Sequence, residues 1–417
     1  MKPRIQIVLV MSLFFFLPQF TNAQSNKNIQ FLSKVGVLDS LYSKTLKEYR
    51  QFYVQLPQGY DATKNDKYPV AFILDGEVFL PTVHNVQNFY SGGFTPEMVL
   101  IGISNADNRM RDLTTSKIKE MNGMPFNQEN GEAANFSNFI EKELIPFIEN
   151  KYPVTNFRTL IGHSYGGLFT LHTFLHKPNL FSNYIAIDPS LDWDNQKLLN
   201  KAKEKLASND YKEKSLFMSL GGQLHWQKPE ITIDNVMTDT SDFTLFGRSN
   251  IMFSDMIKQN KVDGLAFEWK FYPRDLHGTI PFPSIMDGLI SVFQWYQMEN
   301  TQKFNLPTTS TEELSKIIKY RAEKLEKYFG YSVPPYPEFL LNMSGYMSMD
   351  MEQMKRAKMF FEFAIEYYPK NANAYDSMAD YYERNGDNTT AIKFIEKALE
   401  INDDEYYKKR MEELKKK

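Results

Sequence analysis

One serine stands among three glycines in Arg158-Thr159-Leu160-Ile161-Gly162-His163-Ser164-Tyr165-Gly166-Gly167. A plain turn needs one or two residues with positive φ. A serine at G-x-S-x-G spacing between an apolar strand and a helix is instead displayed for nucleophilic attack. The backbone N–H of Tyr165 then faces the oxyanion that develops during acyl transfer, beside the positive end of the following helix. A serine hydroxyl needs a general base, and the chain has six histidines. His163 lies in the turn itself. His172 and His176 follow on the next helix, at a spacing that could hold a metal, but without a following glutamate or a third ligand. His84 comes after the third strand, and His225 lies in a long polar segment. His277, in "FYPRDLHGTIPFP", sits after the last convincing strand and before a helical run. The order serine, acid, histidine along the chain selects His277 as the base.

The acid that fixes the imidazole tautomer is expected after "SLFMSLGG", between residues 223 and 255. Glu230, Asp234, Asp239 and Asp242 all qualify by position, with Asp239 in "TDTSDFT" preferred and Asp242 next. Asp275 could bond near His277 or simply close a turn. A second oxyanion donor is expected from "LDGEVF", at the N–H of Gly76 or Glu77, where Gly76 lets the backbone approach a substrate closely.

The surrounding pattern is α/β. "QFYVQLP" alternates like a strand, and "YPVAFILDGE" and "MVLIGIS" are continuous apolar runs typical of strands buried on both faces. "NFSNFIEKELIPFIENKY" has apolar residues at helical spacing, and "YGGLFTLHTFLHKP" is a helix ending at Pro178. "NYIAIDPS", "SLFMSLGG" and "EWKFYP" continue the strands. Alternating strand and helix predicts a doubly wound, mainly parallel sheet with chemistry at the carboxyl ends of its strands.

After about Glu299 the pattern becomes helical. "TEELSKIIKYRAEKLEKYF" is a charged helix and "YSVPPYP" a proline-rich break. Ala357, Phe361 and Ala364 recur 34 residues later as Ala391, Ile395 and Ala398, the period of a tetratricopeptide repeat. The first copy is degenerate, with Ser348 where an aromatic is usual. Two repeats are few for a free solenoid, so they are expected to pack on the linker helix and the preceding domain, with "EYYKKRMEELKKK" as a polar cap. The expected division is 1–23, 24–300, 301–336 and 337–417.

Composition sets the outer limits. The chain has 417 residues, a net charge of −3 and 15% aromatic residues. That charge balance gives no footprint for nucleic acid. Lys2 and Arg4, the run "IQIVLVMSLFFFLPQF" and Thr21-Asn22-Ala23 read as a signal segment removed after Ala23, which predicts a periplasmic or secreted protein without a stable membrane span. The absence of cysteine excludes disulfides and thiolate metal sites.

"FILDGEVF", "LIGISNADNRMRDLTTS", "GHSYGG", "AIDPSLDWD" and "YPRDLHGTIPFPSIMDGL" together resemble the esterase family of α/β-hydrolases. That family includes esterase D-like enzymes, enterobactin-type siderophore esterases, feruloyl esterases and mycolyltransferases. The resemblance covers roughly Leu46 to Gln297, and the tail resembles exported esterases that carry tetratricopeptide repeats. It implies Ser164 as nucleophile, His277 as base, and Gly76 with Tyr165 around the oxyanion, with no metal or organic cofactor. It also places Arg109, Arg111 and Asp112 near the cleft. Arg111 is open to pairing with a substrate carboxylate or with Asp112, and Trp193 to stacking on a substrate ring or filling the core. Family members differ in where they supply the acid, so a Ser–His pair aided by a backbone carbonyl stays open. The expected activity is hydrolysis of a small-molecule ester, such as a siderophore ester or acylated carbohydrate. Acyl transfer by the same residues, or a partner-binding role for the repeats, are the alternatives.

Overall fold

The computed structural model describes residues 34–416 except 59, 61, 63–65, 122, 226 and 261. The expected signal segment lies outside the described residues. From Gly36 onward the chain clusters as one unit.

Its centre is an eight-stranded sheet. The strands are β1 (Val37–Ser43), β2 (Glu48–Gln55), β3 (Tyr68–Ile73), β4 (Val99–Ile103), β5 (Val154–His163), β6 (Asn183–Ile187), β7 (Lys214–Gly221) and β8 (Leu265–Tyr272). They lie in the order β1-β2-β4-β3-β5-β6-β7-β8. The β1–β2 and β2–β4 pairs are antiparallel and the others parallel. The unbroken apolar runs predicted as two-sided strands are buried along β4 and along β3 after Tyr68, because helices cover both faces.

Helix α1 (Gly76–Tyr90) packs against α5 (Pro281–Val292) on one face. On the other, α2 (Tyr165–His176) packs against α3 (Trp193–Ser208), which meets α4 (Leu245–Asn260). Part of the high aromatic content goes into this core: Phe52, Phe72, Phe136, Phe139, Phe169, Phe174, Phe181 and Tyr184 are all nearly solvent-free. The doubly wound α/β expectation holds.

The tail begins with α6 (Thr311–Phe329), capped by the Ser310 side chain, which accepts from the Glu313 N–H, and closed by Gly330 at φ 76°. Four helices follow as two hairpins: α7 (Glu338–Asp350) with α8 (Met354–Tyr367), and α9 (Ala372–Arg384) with α10 (Asn388–Ile401). The repeat read from spacing has a physical basis. Ala357, Phe361, Ala364, Ala391, Ile395 and Ala398 are all fully buried. In the degenerate copy Gly345 leaves room for the Phe361 ring, which a Cβ at Gly345 would meet at 2.3 Å. The last helix, α11 (Glu405–Lys416), buries Leu414 and holds Arg410 against Asp376, Asp380 and Glu383.

The tail packs on the α/β region as expected. Trp295 stacks on Tyr328 at 4.4 Å, Phe157 meets Phe329 at 5.0 Å, and Tyr331 hydrogen-bonds Thr155. Arg321 donates to the carbonyls of Tyr296, Gln297 and Pro335. Among the described residues no helix is long and apolar enough to cross a membrane.

Candidate active site

The serine turn is built as its spacing predicts. Strand β5 ends at His163, Ser164 adopts φ 60° and ψ −116°, and α2 starts at Tyr165. A non-glycine residue in that region is strained by about 1–3 kcal/mol, so the surroundings must hold it. The Ser164 N–H donates to the Ile187 carbonyl, and the Ser164 carbonyl accepts from the N–H groups of Leu168 and Ser190. Gly162 is required sterically, since a Cβ there would lie 2.2 Å from the Gly166 carbonyl oxygen. Gly166, two residues past the serine, leaves ordinary van der Waals room for a methyl group.

Ser164 Oγ lies 3.0 Å from His277 Nε2, and His277 Nδ1 lies 2.6 Å from Asp188 Oδ2. A carboxylate can only accept here, so Nδ1 carries the proton and Nε2 accepts from the serine hydroxyl. Asp188 is 1% exposed, and its other oxygen accepts from the Gly221 N–H at 2.8 Å. The imidazole is also bounded by the edge of Phe246.

The structure therefore corrects the expected acid. Asp239 does not meet His277. Its carboxylate accepts from the Ser241 N–H and Oγ and from Thr244 Oγ1, capping the turn that leads into α4. Those bonds hold it at a pKa of about 2. Glu230 and Asp234 are exposed, and Asp275 closes a turn by accepting from Thr279 Oγ1. Asp188 has φ 44° at the carboxyl end of β6, the strand beside the one that ends in the serine turn. An acid capping the apolar run "YIAID" was the available signal, since ligands and chemistry gather at strand carboxyl ends.

Of the two pairings open to Arg111, the structure shows the one with Asp112 and not a free guanidinium for substrate. Its guanidinium donates to both oxygens of Glu48 and to Asp112, so its fork is occupied by protein carboxylates. Arg50 completes this network against Asp112 at 2.6 Å. Trp193 fills the core instead of offering a stacking face. It is 4% exposed, donates to the Ser116 carbonyl, and packs edge-on against Tyr165 at 5.4 Å.

Arg109 takes the role that sequence reasoning missed. It grips Asp75 with two bonds of 2.9 and 3.0 Å, donates to the His163 carbonyl at 3.2 Å, and lies over the Tyr165 ring. One side chain thus links the loops after β3 and β4 to the serine turn. Burial pushes the Asp75 carboxyl up, and Arg109 opposes that shift. Asp75 has φ 50°, and Gly76, which opens α1, packs so tightly that a Cβ would sit 2.2 Å from the Gly102 backbone. Gly76 and Tyr165 are each the first residue of a helix, where N–H groups lack intrahelical acceptors. His163, Asp188 and His277 bring nitrogen and oxygen atoms within 4.8 Å of one another. Their protons already bind them into a hydrogen-bonded chain.

A sequence-family model described as "Putative esterase" matches residues 43–235, and one for a tetratricopeptide repeat matches residues 372–405. The chain is 35% identical over 149 residues to the ferri-bacillibactin esterase BesA of Bacillus subtilis, covering 32% of this chain and 52% of that protein. It is 31% identical to the siderophore triacetylfusarinine C esterase of Aspergillus fumigatus, over 37% of this chain and 56% of that protein. The alignments thus span about half the length of these relatives. An IroE-like serine hydrolase from Shewanella oneidensis superposes with a TM-score of 0.64 at 28% identity, covering 80% of this chain and 99% of that one. Residues 43–235 match the model of that esterase family, and the C-terminal helices contain a tetratricopeptide repeat.

Proposed function

We propose that this protein is an exported serine carboxylic ester hydrolase whose substrate is a siderophore ester. The observation that carries the reading is the unbroken relay from Ser164 through His277 to Asp188. His277 Nε2 takes the hydroxyl proton as Ser164 Oγ attacks the ester carbonyl. Asp188 holds the imidazole in the reactive tautomer and stabilises the imidazolium. The N–H groups of Tyr165 and Gly76 receive the oxyanion. Collapse expels the alcohol, which takes the proton from His277, and leaves an acyl group on Ser164. Water then attacks with His277 again as base, releasing the acid and restoring the hydroxyl.

The siderophore class rests on the likeness to esterases of that kind. A half-exposed His277 side chain also suits a bulky substrate. Purified protein should open a trilactone siderophore faster than it cleaves acetylated or feruloylated sugars, and Ser164→Ala should abolish that turnover. Preference for the acylated sugars would move the substrate class, and equal turnover by Ser164→Ala would remove the mechanism. Transfer of the acyl group to an added alcohol, detected by product analysis, would identify an acyltransferase instead.

A second reading concerns the tail. Phe339, Met343 and Met347 on α7, with Met351 just past its end, form an exposed apolar stripe, and such methionine-rich stripes suit partner binding. Replacing the stripe with glutamine in the full chain should abolish capture of any protein partner while leaving ester turnover intact.

A further inference from the structure

His163 is the residue before the nucleophile, and neither the relay nor the oxyanion site uses its side chain. Its Nε2 lies 2.9 Å from the main-chain carbonyl oxygen of His277. A carbonyl can only accept, so this nitrogen carries the proton. The two imidazole rings face each other at 4.6 Å with a tilt of 39°, and Phe79 closes the far side edge-on at 5.7 Å. The carbonyl of His163 is gripped in turn by Arg109. His163 is therefore fixed at both ends, and its ring reaches from the serine strand to the loop that bears the base.

That loop needs an anchor. His277 projects from a turn whose neighbour Leu276 is 52% exposed; apart from the bonds of the His277 ring to Ser164 and Asp188, the ties of this turn run within itself and to the end of β7. The Leu276 N–H and the Asp275 carboxylate bond Thr279, and the Asp275 carbonyl accepts from the Gly222 N–H. None of those bonds relates the base to β5, where the nucleophile sits. The His163 bond does. It joins the residue adjacent to Ser164 to the backbone of His277, whose Nε2 lies 3.0 Å from Ser164 Oγ.

We infer that His163 is a positioning residue that holds the His277 backbone in register with Ser164 through its Nε2–H bond to the His277 carbonyl. The charge state suits this task. Burial, with His277 and Arg109 nearby, holds His163 down to a pKa of about 3, so the ring stays neutral while His277 cycles through its cation. A neutral ring tolerates that neighbour, whereas a second imidazolium would repel it. A displacement of about 1 Å between reacting groups can cost about 100-fold in rate, which sets the size of the expected effect.

The inference rests on the ester-hydrolase reading for its kinetic consequence, so the test has one arm without turnover. His163→Phe keeps a ring and removes the donor. His163→Gln keeps an N–H donor at similar reach and removes the ring. His163→Phe should lower kcat by about 10- to 100-fold with KM within about twofold, and leave the acid limb of the kcat/KM profile unshifted. His163→Gln should recover most of the lost rate. In the arm without turnover, hydrogen exchange across residues 274–280 should quicken in His163→Phe and not in His163→Gln. A wild-type rate in His163→Phe, a shifted acid limb, or unchanged exchange in that loop would overturn the assignment, as would a His163→Gln enzyme as slow as His163→Phe. If the wild-type protein shows no Ser164-dependent turnover, the hydrolase reading fails, and the exchange experiment still decides whether His163 holds the loop.

Discussion

Asp188 and His277, 89 residues apart in the chain, meet through a 2.6 Å hydrogen bond between Oδ2 and Nδ1. Asp188→Asn replaces an acceptor with a group that favours the wrong imidazole tautomer, so kcat should fall by about 10⁴-fold with little change in KM. Asp239→Asn removes only a turn cap and should leave kcat within about twofold. Steady-state kinetics on both variants decides between them. A larger loss at Asp239 would return the acid to the loop after β7.

Gly162→Ala tests the serine turn. The new methyl group would press on the Gly166 carbonyl at 2.2 Å, against backbone that cannot rotate away. Overpacking of this kind typically costs about 1–3 kcal/mol or more, and here the yielding segment carries Ser164. Urea unfolding should show that loss together with a fall in kcat of at least about tenfold. An alanine variant with wild-type stability and rate would mean that the chain crosses at this turn less tightly.

Arg109→Ala should destabilise the fold by about 2 kcal/mol, because the buried Asp75 carboxylate loses its donor. Adding Asp75→Asn should restore part of that stability without restoring activity, since the strap between the oxyanion loop and the serine turn is still gone. Urea midpoints for the single and double variants, with parallel rates, would show this. Full recovery of turnover in the double variant contradicts the strap.

Stability should fall on acidification from pH 6.5 toward 4. His163 and His172 are both held down to about 3 by burial, and the Nδ1 of His172 is buried without a hydrogen-bond partner. Below about 6.5 the unfolded chain takes up these protons and the folded chain does not, so unfolding becomes easier as pH drops. Each histidine contributes about 1 kcal/mol per pH unit over that window. Denaturant midpoints across it should decline, and His172→Leu should flatten the decline. An unchanged slope would mean that His172 is protonated in the fold.

The sequence made the frame of this site legible because periodicity and spacing are local. The strand, turn and helix around Ser164 follow from Gly162, the apolar run before it and the apolar helix after it. His277 follows from chain order. Asp188 was hidden because position after β7 was given more weight than burial at the end of β6. Its bond to the Gly221 N–H arises only when β6 and β7 lie side by side. Arg111 and Trp193 each kept two readings open for a related reason. A charged fork and an indole near a cleft look available until Glu48, Asp112 and the Ser116 carbonyl fill their bonds. Arg109 and His163 act across loops, and no spacing in the chain announces such contacts.

We propose that Ser164 is a nucleophile activated by His277, with the imidazole oriented through Asp188. Labelling with a fluorophosphonate, read by intact mass and peptide mapping, tests it most directly. Wild-type protein should gain one equivalent on Ser164, Ser164→Ala none, and His277→Ala and Asp188→Asn should label at least about 100-fold more slowly. Label on another residue, or equal labelling rates in the His277 and Asp188 variants, would contradict the account.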